Sequence, residues 1–140
     1  MNRQKRQPLK IDRKYIRVNT EIPCEVGLAD DEPSSATILD VSLGGLKFGC
    51  SQTTIKRILS DDRFVLGRIM NVEIVVRFSL KPAAGGDTPV ECRARVIHSE
   101  RLAQDLFHVG VQFLDLSQAA ATALKTCIDE HTVTSESAGS

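Results

Sequence analysis

The stretch Val18-Asn19-Thr20-Glu21-Ile22-Pro23-Cys24-Glu25-Val26-Gly27-Leu28 decides the fold class. Val18, Thr20, Ile22, Cys24, Val26 and Leu28 fall on one side of it, and Asn19, Glu21, Pro23, Glu25 and Gly27 on the other. Successive side chains of an extended chain point to opposite faces, so this period of two predicts a half-buried strand of an antiparallel sheet. Pro23 has no N–H to give to a ladder, which predicts a sheet edge or a bulge there.

The same logic carries down the chain. Asp30 to Ser35 reads as a loop, Ala36–Val41 as a second strand, and Leu46–Cys50 as a third with Leu46, Phe48 and Cys50 inward. Thr53–Leu59 places Ile55, Ile58 and Leu59 at helical spacing and predicts a short helix over one end of the sheet. Arg68–Leu80 reads as one long strand with Met70, Val72, Ile74, Val76 and Phe78 inward. After a turn region rich in Pro and Gly, Val90–His98 turns Val90, Cys92, Ala94 and Val96 inward and shows Glu91, Arg93 and Arg95 outward. Phe107–Phe113 is the sixth strand. From Ser117, a helix cap, Ala120, Leu124, Cys127 and Ile128 follow helical spacing to an end near His131. Short strands punctuated by turns, closed by one helix, predict a mainly β fold: a small six-stranded antiparallel β-barrel with a short helix and a C-terminal α-helix.

At 140 residues the chain is expected to form one domain, preceded by a flexible basic arm over 1–12 and followed by a disordered tail over 132–140. Eighteen Lys and Arg balance eighteen Asp and Glu, which argues against a general nucleic-acid binder, DNA or RNA. The balance is local, however. Before residue 18 stand Arg3, Lys5, Arg6, Lys10, Arg13, Lys14 and Arg17 against Asp12 alone, a cationic arm on a neutral body that suits a compact anion. No apolar run follows this basic start and none approaches a membrane span, so no leader or membrane insertion is expected and the location expected is cytoplasmic. Cys24, Cys50, Cys92 and Cys127 form no Cys-x-x-Cys pair and read as small buried hydrophobes. His98, His108 and His131 share no ligand spacing with one another or with the cysteines, and no metal, cofactor or catalytic residue is assigned.

Two short runs carry the chemistry. Asp40-Val41-Ser42-Leu43-Gly44-Gly45-Leu46 puts an acid, a hydroxyl and two glycines between two β-prone segments. With an extended backbone Asp40 and Ser42 share a face, and the glycines leave room for a close approach to backbone N–H groups. The same residue types also make an ordinary hairpin turn. Arg13-Lys14-Tyr15-Ile16-Arg17, just before the first strand, carries two guanidinium forks able to close on one anion.

Together, Arg-x-x-x-Arg at Arg13 and Arg17 followed by Asp-x-Ser-x-x-Gly at Asp40, Ser42 and Gly45 resemble the paired signatures of the PilZ domain family. The end of the last strand, Val109-Gly110-Val111-Gln112-Phe113, is also similar to that family's, so the resemblance covers 13–131. It implies a PilZ-type barrel and a non-enzymatic receptor for the bacterial second messenger cyclic di-GMP, with Arg13, Arg17, Asp40, Ser42 and Gly45 as the ligand-binding set. The chemistry fits: an Arg fork meets the O6/N7 edge of guanine, a carboxylate meets its N1–H and N2–H, and Arg, hydroxyl and amide donors meet phosphate. The residue before Arg13 is Asp12, an acid that adds nothing for further phosphates, so one ligand molecule is expected rather than a stacked pair. With no output domain of its own, such a receptor would signal to an unidentified protein effector by ordering its N-terminal arm, as a monomer or homodimer. Two alternatives compete: a PilZ-like module that docks a protein and binds no nucleotide, and a small RNA-binding barrel. The second would need exposed aromatics for base stacking, and Tyr15 is the one obvious candidate. Whether Arg93 and Arg95 touch the ligand stays open here.

Overall fold

The computed structural model describes residues 16–59, 64–65, 68–69, 72–83 and 86–139. Six antiparallel strands close into a barrel, each because its apolar alternation needs one dry face. They are β1 (Val18–Gly27), β2 (Ser34–Val41), β3 (Gly45–Cys50), β6 (Glu73–Leu80), β7 (Thr88–Ala103) and β8 (Leu106–Phe113), in the order β1-β2-β3-β8-β7-β6. The inward residues are those the alternation names. Leu46, Phe48 and Cys50 of β3, Ile74, Val76 and Phe78 of β6, and Val90, Cys92, Ala94 and Val96 of β7 are all buried. Ile38, Leu46 and Phe48 are fully buried, and each such side chain contributes about 1.5–3 kcal/mol of burial free energy.

Helix α1 (Gln52–Ile58) begins where Ser51 caps it, its hydroxyl accepting from the Thr54 amide at 3.3 Å. It seals one end of the barrel with Ile55 and Ile58. Helix α2 (Gln118–Gly139) starts in the same way, with the Ala120 amide donating to Ser117 Oγ at 3.1 Å, and packs Ala120, Leu124 and Ile128 against β1, β6 and β7.

Three expectations change. The strand expected from Arg68 begins at Glu73, and Arg68–Ile69 (β5) instead pairs back on Phe64–Val65 (β4). In the sequence Leu66-Gly67 separates Phe64-Val65 from Arg68-Ile69 at the spacing of a two-residue hairpin, which the longer period-two pattern masks. Met70, expected on the inward face, lies outside the described residues. β7 runs on to Ala103, beyond His98, because Ser99–Ala103 pairs with β8 as an exposed hairpin extension that needs no buried face. Helix α2 continues past His131 into 132–139, where a disordered tail was expected. No glycine or proline interrupts the chain between Gln118 and Ala138, so nothing in it stops the helix earlier.

Pro23 sits at an edge and next to a bulge. β1 pairs with β6 only from Cys24 to Gly27, and its pairing with β2 slips between Asn19 and Ile22. The barrel therefore parts between the first half of β1 and the end of β6. A cavity of about 1350 Å³ opens there, floored by Cys127 and Ile128 of α2.

Candidate functional site

The β2–β3 turn is tied by Ser42. Its amide donates to the Gly45 carbonyl at 2.8 Å; its hydroxyl donates to the same oxygen at 3.3 Å and accepts from the Gly44 amide at 3.2 Å. Ser42 is buried, and its hydroxyl is committed to the turn. Gly45 is fixed by packing: a Cβ there would lie 2.1 Å from the Val111 carbonyl oxygen, because β3 and β8 come together at that point. The fold itself thus demands a glycine at 45, independently of any ligand's approach.

Asp40 stands on the outer face just before this turn. Two irregularities put it there. The β1–β2 register shifts between Asn19 and Ile22, and the β2–β3 register shifts between Ile38 and Asp40. Ile38 consequently faces inward opposite Phe48, while Asp40 lies opposite Asn19 on one side and Lys47 on the other. One carboxylate oxygen accepts from Arg17 Nη1 at 2.5 Å, and the other lies 3.5 Å from Lys47 Nζ. The Asp40 side chain is only 11% exposed, so its charge is held by two cations rather than by water. Arg17 keeps 51% of its side chain in solvent and can leave Asp40 at little desolvation cost.

Of the five residues expected to bind ligand, Arg17, Asp40, Ser42 and Gly45 gather at one end of the β1–β2–β3 face, and Arg13 lies outside the described residues. Lys47 is the residue that motif reasoning missed. Its outward place between Leu46 and Phe48 was visible in the sequence, but its pairing with Asp40 depends on the bulge at Leu39. On β7, Arg93 donates from Nε to Asp115 at 3.0 Å and from Nη1 to Glu73 at 3.4 Å. The Arg93 amide also donates to Asp115 at 2.7 Å, and these bonds hold the Asp115 carboxyl below the usual range. The guanidinium of Arg95 has no partner among the described residues. Neither Arg17 nor Asp40 lines the cavity between β1 and α2, so the candidate site is an open sheet face. Among the described residues no group of His, Cys, Asp or Glu is placed to hold a metal, and no helix is long and apolar enough to cross a membrane.

The family model for the PilZ domain matches residues 11–130. This chain belongs to the PilZ family. The PilZ barrel here is similar to that of the Bacillus subtilis inhibitor of motility (MotI/DgrA), with a TM-score of 0.66 and 11% identity over 89% of this chain and 53% of that one. It is also similar to K. pneumonia MrkH in its complex with c-di-GMP (TM-score 0.60, 13% identity, 90% of this chain and 55% of that one). A third is the PilZ domain of YcgR from Escherichia coli with c-di-GMP (TM-score 0.57, 14% identity, 92% and 98%). At these identities the likeness is one of fold. The chain spans about half the length of the first two. A comparison with curated proteins gave no match.

Proposed function

We propose that this PilZ barrel is a cyclic di-GMP receptor whose ligand binds on the outer face at Arg17, Asp40 and the Ser42–Gly45 turn, with Arg13 closing from the arm. The observation that carries the reading is the Arg17–Asp40 ion pair at the mouth of β1. It places a guanidinium fork and a carboxylate side by side, the two groups that read opposite edges of guanine. In this mechanism the ligand opens the pair. Arg17 turns to the O6/N7 edge or a phosphate, and Asp40 accepts N1–H and N2–H. Ser42 acts through the turn it ties, and Gly45 through the β3–β8 contact it allows. The neighbours solved with c-di-GMP support the choice of ligand. Movement of Arg17 pulls on the arm that precedes it, and the rearranged arm is the surface that a protein effector reads.

One observation favours the rival, a docking module that binds no nucleotide: the Ser42 hydroxyl and both Asp40 oxygens already have partners. Calorimetry with cyclic di-GMP, with GTP and cyclic GMP as controls, separates the two. Saturable heat with cyclic di-GMP alone is the expected result. No heat and no thermal shift at large excess would leave the docking module as the function.

A further inference from the structure

Part of β1 keeps an edge that the barrel's own strands leave open. β1 pairs with β6 only where Cys24 to Gly27 meets Val75 to Phe78. The same register, continued, would set Pro23 against Ser79 and Ile22 against Leu80, and neither pair forms. Pro23 has no N–H to give, so the ladder ends there. On the side away from β2, no strand among the described residues pairs with Val18 to Pro23, although β1 stays extended through this length. Such an edge is a template for another strand, because its N–H and C=O groups lack ladder partners.

The cavity beside this edge supplies the rest of a strand's seat. Its floor is apolar, with Ile22 of β1, Leu80 of β6 and Ile128 of α2 lining it. Ile22 is left half-buried, whereas Cys24 and Val26, two and four residues on, are buried where β6 pairs. Its rim is acidic. Arg77 is held by Glu91 at 3.0 Å, which leaves Glu21, Glu25 and Glu130 against Lys81 and His131. Glu130 accepts from the Ala83 amide at 3.1 Å and keeps its charge. Glu21 and Glu25 are exposed and make no ion pair among the described residues. Neither Arg17 nor Asp40 lines this opening, so it is separate from the nucleotide face.

We propose that the opening takes a strand from a protein partner, an extended segment in which aliphatic residues alternate with Lys or Arg. The segment adds to the edge from Val18 to Ile22 through backbone hydrogen bonds. Successive side chains of a strand point to opposite faces. Its aliphatic residues therefore go down onto Ile22, Leu80 and Ile128, while its cations stand beside Glu21 and Glu130. A helix or a folded surface would leave the free backbone edge unused, and an acidic segment would meet like charge at the rim.

The test uses the full chain and a short labelled peptide alternating valine with lysine, with a valine–glutamate peptide as control. Fluorescence anisotropy should show saturable binding of the lysine peptide and roughly tenfold weaker binding, or less, of the glutamate peptide. The lysine peptide should also slow thiol labelling of Cys127, which lines the opening, and amide exchange across residues 18–22. Glu21→Lys is expected to weaken binding roughly tenfold at an unchanged melting temperature, since that side chain is exposed. Ile22→Lys should weaken it as much, by putting a charge on the floor. Glu100→Lys, exposed on the β7–β8 hairpin, should bind like wild type. No saturable binding, equal binding of the two peptides, or equal losses at Glu21 and Glu100 overturns the partner strand. So does wild-type affinity in a folded Ile22→Lys protein. Cys127 already shielded without peptide overturns it as well: shielding in a monomer gives the opening to the chain's own first residues, and shielding that rises with protein concentration gives it to a second copy.

Discussion

Arg17 and Gly45 belong to one pair of motifs and do opposite kinds of work. Arg17 is half in solvent and adds little to the core, so Arg17→Ala should leave the melting temperature nearly unchanged while removing a charge-assisted hydrogen bond to the ligand. Such a bond is worth about 1.5–3 kcal/mol, so calorimetry should show cyclic di-GMP affinity falling roughly 10- to 150-fold. A stably folded Arg17→Ala protein that binds like wild type would place the ligand elsewhere. Asp40 keeps Lys47 at 3.5 Å in that variant, so no carboxylate is stranded. Gly45→Ala should behave in reverse. Its methyl would meet the Val111 carbonyl at 2.1 Å, and crowding of that kind costs about 1–3 kcal/mol, visible as a melting temperature lower by several degrees without any ligand present. At this scale the sequence made the turn after Asp40 legible, because Asp, Ser and Gly are turn-forming residues. It hid the fate of Ser42, whose hydroxyl turns back into its own loop, and it hid Lys47, whose neighbour is set by a slip in register.

Bulges decide more about the elements than propensity does. The period-two pattern identified all six barrel strands and the buried faces of β3, β6 and β7, since burial imposes that period directly. It could not place the slips at Asn19/Ile22, Ile38/Asp40 and Val96/His98, because a bulge adds one residue without altering composition, and each slip re-aims side chains on the outer face. Nor could it find the end of β7, where an exposed hairpin has no dry side to mark. The inward faces do carry one testable chemical consequence. Burial, the largest cause in each case, pushes Cys24 up from 9.0 to about 12 and Cys50 and Cys92 up to about 11. A thiol whose pKa is raised in the folded state stabilises the fold fully below its unfolded value, and that stability is lost as pH climbs toward the folded value. Urea unfolding under reducing conditions should therefore show stability falling from about pH 9 toward pH 11, and Cys24→Ala should flatten the fall. At pH 8 a thiol reagent should label the partly exposed Cys127 first. An unchanged pH slope in Cys24→Ala would mean that this thiol is not buried as described.

At the scale of the whole molecule the barrel is closed everywhere except beside the first half of β1, and the root of the arm lies there. Val18 borders the cavity, and Arg17, next to it, reaches the other way to Asp40. Closure by β1 against β6 was not legible in the sequence, since no local pattern says which distant strand completes a ring. The charge that makes the place matter was legible: seven cations stand before Val18 against Asp12 alone. A ligand bearing two phosphates at Arg17 would draw that charge onto the sheet, because guanidiniums gain charge-assisted hydrogen bonds on an anion. Ordering the arm costs roughly 1–2 kcal/mol of backbone entropy per residue, so the segment fixed must be short and anchored by contacts of that strength. Residues near Arg13 and Arg17 should be fixed, and those near Arg3 left much as they were. Amide hydrogen exchange on the full chain, with and without saturating cyclic di-GMP, measures this directly. Exchange should slow across residues 12–17 and hardly change across residues 2–8, and high salt should shrink the difference along with the affinity. Equal exchange over residues 12–17 in both states, with binding confirmed in the same sample, would remove the arm from the switch and leave the outer face of the sheet as the surface that changes.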